Sequence, residues 1–191
     1  LGAIVAIGLI AAVYFSWSSR SNAAAQAALA KAIETSEATI SATALPAGST
    51  GKSFKSAKER AQAAIPEFQA VAEQYGGAVG DKAKYFIAVN QLSLDRAVGI
   101  QELEGLSSRS DEVGKLAKFA LAQTRAEDGR LDDAAALFKD LAGMPDPVVS
   151  KDSVNFELAK VYEKQGKKQE AVDLLFEIAK GEFQNKNYEV A

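Results

Sequence analysis

The side chains that could do chemistry in this chain are few. Its 191 residues include no histidine and no cysteine. That removes the commonest general base, the commonest transition-metal ligand, thiolate nucleophiles and disulfides. An absence of cysteine is compatible with an oxidising compartment. Carboxylates and lysines remain. Asp111-Glu112 and Asp132-Asp133 are adjacent acids, but neighbours on a helix point about 100 degrees apart and do not make a paired carboxylate site. They read as solvated helix starts favoured by the helix dipole. Lys164, Lys167 and Lys168 flank a turn and suit a helix C-terminus without any phosphate ligand. Gly48 to Ser53, GSTGKS, imitates a phosphate loop. Its spacer is two residues rather than four, and no buried strand precedes it. No catalytic constellation emerges, so the chain reads as a non-enzyme with no cofactor and no metal.

Charge narrows the partners. The formal net charge is −3 and the pI is near 5.2. No basic face or stripe stands out, which argues against nucleic acid. No small-molecule substrate is expected either. What remains is contact with other proteins and with a membrane.

The elements that must position such contacts are helices. Hydrophobic residues make up 48% of the chain, with much Ala, one Trp and four Pro. Ala is the best helix former and buries little area. Period-two runs of Val, Ile and Thr are scarce, and the expected fold class is all-α.

Leu1 to Trp17, LGAIVAIGLIAAVYFSW, carries no charge, and Arg20 is the first. A bilayer core takes a helix of about 20 residues, so residues 1–19 are expected to form a transmembrane anchor. Tyr14, Phe15 and Trp17 gather at its end, as aromatics do at a membrane interface. Gly2 with Ala6 and Gly8 with Ala12 are small-xxx-small pairs that let another membrane helix approach. A cleaved signal peptide and a buried core helix are the competing readings; an uncleaved signal-anchor is preferred. The chain does not begin with Met, and a flank is expected before Leu1. Lys and Arg are scarce just after the span, which leans towards a translocated C-terminal domain.

Residues 20–40 are Ala-rich and read as a helix that packs on the downstream domain, with Leu29, Ile33 and Ile40 roughly on one side. Residues 41–56 collect Pro46, Gly48, Gly51, Ser and Thr and read as a linker. Ala57 to Tyr75 places Ala61, Ala64, Phe68, Val71 and Tyr75 on one helical face, with Pro66 near the first turn or at a kink. Gly76 to Gly80 reads as a break. Asp81–Asn90 and Leu94–Leu106 then make a second, degenerate hairpin. Ser110 is the expected N-cap for Asp111 to Glu127. The link Met144 to Pro147 stops the next helix. Asp152 to Lys180 completes the last pair, and residues 181–191 read as a polar tail.

One pattern recurs. Leu158, Ala159, Tyr162, Gly166 and Ala171 repeat the order of Leu121, Ala122, Gly129 and Ala134, followed by Phe138 and Leu141. The equivalent Gly is offset by 37 residues, and Gly to Ala spans five positions both times. The set resembles the tetratricopeptide (TPR) repeat, whose usual period is about 34 residues. Ala64, Phe68 and Val71 match the second helix of such a unit, and the Ala-rich helix stands in for its first. The resemblance implies a TPR-like α-solenoid of helical hairpins over residues 57–180.

Alignment to the repeat sets the non-stripe positions of each first helix on a concave side. These are Leu116, Phe119, Gln123 and Glu127, then Ser153, Phe156, Lys160 and Lys164. Phe119 and Phe156 are expected either to anchor an apolar peptide segment or to pack between hairpins. The Lys and Asn set of TPR domains that clamp a C-terminal carboxylate is not reproduced.

A membrane helix, an Ala-rich extension and TPR units together resemble the YfgM-like family of bacterial membrane-anchored TPR proteins. This resemblance implies a single-pass inner-membrane protein whose repeats face the periplasm, associated with translocon-type machinery and periplasmic chaperones. The expected function is a scaffold recruiting client or chaperone proteins through the TPR groove. The alternative is a structural accessory subunit of a larger membrane complex, held by its anchor and outer helical faces.

Overall fold

The computed structural model describes residues 22–41 and 51–188, with side chains as far as residue 181. The expected anchor and its Gly2, Ala6, Gly8 and Ala12 lie outside these residues. Among the described residues no helix is long and apolar enough to cross a membrane. The fold is all-α apart from two paired dipeptides. Along the chain come α1 (22–36), β1 (Thr39–Ile40), β2 (Ser53–Phe54), α2 (Ala57–Gln74), α3 (Gly77–Leu94) and α4 (Arg96–Ser107). After them come α5 (Glu112–Glu127), α6 (Leu131–Ala142), α7 (Lys151–Lys164) and α8 (Lys168–Tyr188). Two compact units divide after Arg96.

In the first unit, Ala25, Leu29 and Ala32 of α1 join Ala64, Phe68 and Val71 of α2 and Val79 and Ala83 of α3 in one core. The small Ala25 and Ala32, seven residues apart, let α1 come close, while Phe68 fills the space between helices and stacks on Phe86 at 5.0 Å. The connection from α1 to α2 is held at both ends. Thr39 pairs with Ser53 and Ile40 with Phe54 in parallel register. Lys52 donates to the Thr35 hydroxyl at 2.6 Å and pairs with Glu67 at 3.1 Å. The buried Thr35 hydroxyl in turn donates to Glu67 at 2.8 Å. The expected plain linker is thus docked over residues 51–56. Ser56 caps α2 through the Glu59 N–H, and Glu59 reaches back to the Lys55 N–H at 3.0 Å. Pro66 sits well inside α2 rather than in its first turn.

The Gly76–Gly80 break is shorter than expected, because α3 already starts at Gly77. Gly80 lies inside the helix for a steric reason: a Cβ there would stand 2.1 Å from the Tyr75 carbonyl oxygen. Gly114 meets the Arg109 carbonyl at the same 2.1 Å, and the two glycines are 34 residues apart. At that offset the buried positions of α3 and α5 coincide: Val79 with Val113, Ala83 with Ala117, Ala88 with Ala122 and Asn90 with Thr124. The second hairpin therefore turns later than expected, at Asp95, which is extended and lacks a glycine.

In the second unit α5 packs on α6, α6 on α7 and α7 on α8. Ala122, Ala134, Phe138, Leu141, Val154, Leu158, Ala159, Tyr162 and Ala171 form one core. Asp111, not Ser110, caps α5 by accepting the Gly114 N–H at 2.9 Å. Its short carboxylate reaches the N3 amide only from this position. Ser150 does the same for α7 through the Ser153 N–H. Gly129 and Gly166 have φ of 76 and 77 degrees, the left-handed conformation that ends a helix without a Cβ clash. In each turn the next N–H closes the helix, Arg130 to the Arg125 carbonyl and Lys167 to the Tyr162 carbonyl. The buried Arg125 guanidinium pairs with Glu104 of α4. The backbone of α8 runs on to Tyr188, so the expected tail from 181 is largely helix.

Candidate functional site

The adjacent acids are occupied locally. Asp111 caps α5 and accepts from Arg109 Nε at 3.0 Å. Asp133 accepts from Arg130 Nε at 2.6 Å. Asp132 accepts from Gln165 Nε2 at 2.8 Å, tying the α7–α8 turn to the start of α6. Lys52 of the GSTGKS string is likewise spent on Thr35 and Glu67.

The eight positions aligned as a groove separate into two groups. Gln123 and Glu127 of α5 meet Lys160 and Lys164 of α7 around a concavity of about 130 Å³, completed by Ala126, Glu157 and Val161. These residues succeed one another at i, i+4 along helices one hairpin apart, which is why they converge. Lys160 pairs with Glu157 at 2.8 Å. Lys164 has no ion pair among the described residues. Two acids and two bases leave the concavity without a dominant sign. Small-molecule sites run from about 300 to 1,000 Å³, so this hollow is smaller than those. It offers ammonium and amide donors and carboxylate acceptors.

The other four positions do not join it. Leu116 is half-buried. Phe119 is half-buried too, with its ring edge-on to Phe138 at 5.7 Å within the core. It packs within the α5–α6 hairpin, its side chain leaning over the preceding turn towards α6. Ser153 shares a hydrogen bond with the Ser150 hydroxyl at the start of α7. Phe156 is 50% exposed but faces a second cavity of about 390 Å³ between α7 and α8. The Lys160 ammonium stands 5.7 Å from its ring and also lines that cavity.

Sequence reasoning missed Glu157 in the first hollow and Glu163, Lys168, Val172 and Leu175 around the second. The available signal was the i+4 neighbourhood of Lys160 and the unmatched apolar side of α8. Among the repeat-signature residues, Leu121, Ala122, Ala134, Phe138, Leu158, Ala159, Tyr162 and Ala171 are all buried. Tyr162 carries Lys139 and Lys167 at 5.5 and 5.6 Å from its ring.

Burial acts on Tyr85 and Glu102. Burial pushes the Tyr85 phenol up from its ordinary value. Desolvation likewise raises the Glu102 carboxyl, whose Oε2 is buried without a hydrogen-bond partner. Neither lines a cavity described above. Comparison of the chain with models of known protein families and with curated proteins gives no match.

Proposed function

We propose that this chain is a non-enzymatic, TPR-like α-solenoid that recruits client or chaperone proteins at a membrane. The carrying observation is the convergence of Gln123, Glu127, Glu157, Lys160 and Lys164 on one hollow between α5 and α7. Donors and acceptors at that spacing suit the backbone and polar side chains of an extended segment. The recurring hairpins, with left-handed Gly129 and Gly166 at equivalent turns, support the TPR-like reading. Residues 1–19 supply a single-pass anchor in a bacterial inner membrane, with the repeats in the periplasm. That placement rests on the apolar run and on the family resemblance. No cofactor, metal, nucleic acid or small-molecule substrate enters the proposal.

The test is co-purification of the intact chain from native membranes in mild detergent, with and without Lys160→Glu and Lys164→Glu. A substoichiometric set of exported proteins or chaperones, lost in the double variant, is the expected result. A set retained undiminished by the variant overturns recruitment through this hollow. A stoichiometric group of membrane subunits that survives both changes would instead mark an accessory subunit of a defined complex.

A further inference from the structure

The outer face of the α7–α8 hairpin is apolar and exposed. Phe156, Val172, Leu175 and Phe176 are 50%, 57%, 43% and 66% exposed. The reason lies in the repeat. At the 37-residue offset, Val172 and Leu175 correspond to Ala135 and Phe138, which α7 covers on the preceding hairpin. The same face on the α7–α8 hairpin holds the 390 Å³ socket lined by Phe156, Ala159, Ala171, Val172 and Leu175. Phe176, next in sequence to the lining residue Leu175, is exposed and not part of the lining.

The rim is polar and of both signs. Lys160 and Glu163 contribute from α7 and Lys168 from α8, the last two at the turn end of the socket. Lys160 is paired with Glu157, whereas Glu163 and Lys168 have no ion pair among the described residues. We infer that this face binds a second copy of the chain, hairpin to hairpin, about a two-fold axis parallel to the helices. Such an axis lays α7 of each copy over α8 of the other. Glu163 of one copy then meets Lys168 of its partner twice, and each Phe176 lies against the Phe156 end of the opposite socket. The contact is isologous and self-complementary in charge. A rim of a single sign would repel its own copy.

The exposed fractions leave roughly 400 Å² of apolar surface on each copy. A pair therefore buries about 800 Å² of apolar surface plus its polar rim, the size of a weak, transient contact. The dimer is reversible and concentration-dependent.

The test is sedimentation equilibrium of the full chain in density-matched detergent, on four proteins: unchanged, Lys168→Glu, Glu163→Lys and the charge-swapped double variant. Circular dichroism confirms equal helicity. The unchanged chain is expected to dimerise. Each single change weakens the dimer at least about tenfold, because like charges then face each other twice. The swap restores it. A chain that stays monomeric up to on the order of 100 µM overturns the proposal. So does a dimer indifferent to the single changes, as one formed through residues 1–21 would be. A swap no better than the singles overturns it as well, since an unrelated partner on this face has no reason to track the exchange. Glu163 and Lys168 do not line the α5–α7 hollow, so this result leaves the recruitment reading to its own test.

Discussion

Phe68 in the first unit and Phe138 in the second stand in the same relation to a buried alanine. Each comes four residues after a fully buried alanine, Ala64 and Ala134, and each is itself fully buried. Their surroundings differ. Phe68 lies face to face with Phe86, at an interplanar angle of 6 degrees, whereas Phe138 receives the edge of Phe119 at 70 degrees. The means of closing the hairpins differ as well. In the second unit a left-handed glycine reverses the chain at once. In the first, the path from α1 to α2 is long, and the paired dipeptides and the Lys52–Thr35–Glu67 cluster secure it. One buried pattern is thus reached by a local turn in one place and by a distant polar clamp in the other.

The comparison breaks most sharply at the two phenylalanines. Phe68→Ala and Phe138→Ala should each cost about 3–5 kcal/mol, read from urea unfolding. Hydrogen exchange should place each loss mainly in its own unit, and equal loss across both would show that the units unfold as one. Next come the turns. Gly129→Ala and Gly166→Ala should each cost about 1–2 kcal/mol, because a Cβ is strained at positive φ. Equal, smaller losses at both would mean that the turns relax into another conformation.

The clamp should give less. Lys52 is partly exposed, so Lys52→Met should cost about 1 kcal/mol or less. High salt should shrink that difference. A larger loss would make the clamp the main closure of the first hairpin.

The smallest effect distinguishes the units by pH. Both Glu102 and Tyr85 are raised by desolvation, so each contributes stability below its ordinary pKa. That contribution is lost as pH rises through the folded value. For Glu102, in the second unit, the window opens above the ordinary 4.5. For Tyr85, in the first, it opens only above 10.0. Glu102→Gln should remove the acid-side slope in unfolding titrations and leave the alkaline one.

Much of this is readable from residue types. Gly129 and Gly166 announce their turns because little else tolerates the conformation, and Ala64-Phe68-Val71 announces a second helix through its spacing. The errors have physical causes. Gly77 and Gly80 look like helix breakers, yet Gly80 sits inside α3 so that a carbonyl can approach. A two-residue strand has no periodicity to detect, so the pairing of Ser53 and Phe54 leaves no signal. Phe119 and Phe156 occupy matching positions, but one is covered by the core and the other is exposed. Only the neighbours decide that. The polar hollow is half legible, because Gln123, Glu127, Lys160 and Lys164 emerge from helical spacing. Glu157 enters it from the preceding turn of α7.

Arg130 and Lys167 each complete the end of one helix with their N–H. Their carbonyls accept from Ala134 and Ala171 at the start of the next. A residue shared in this way leaves no slack, and an insertion there would unseat two helices together. The Pro145 to Val149 link between α6 and α7 carries no such double duty. Lengthening the chain there, with an epitope or a fluorescent domain, should leave both hairpins intact, which makes it the place to put a reporter.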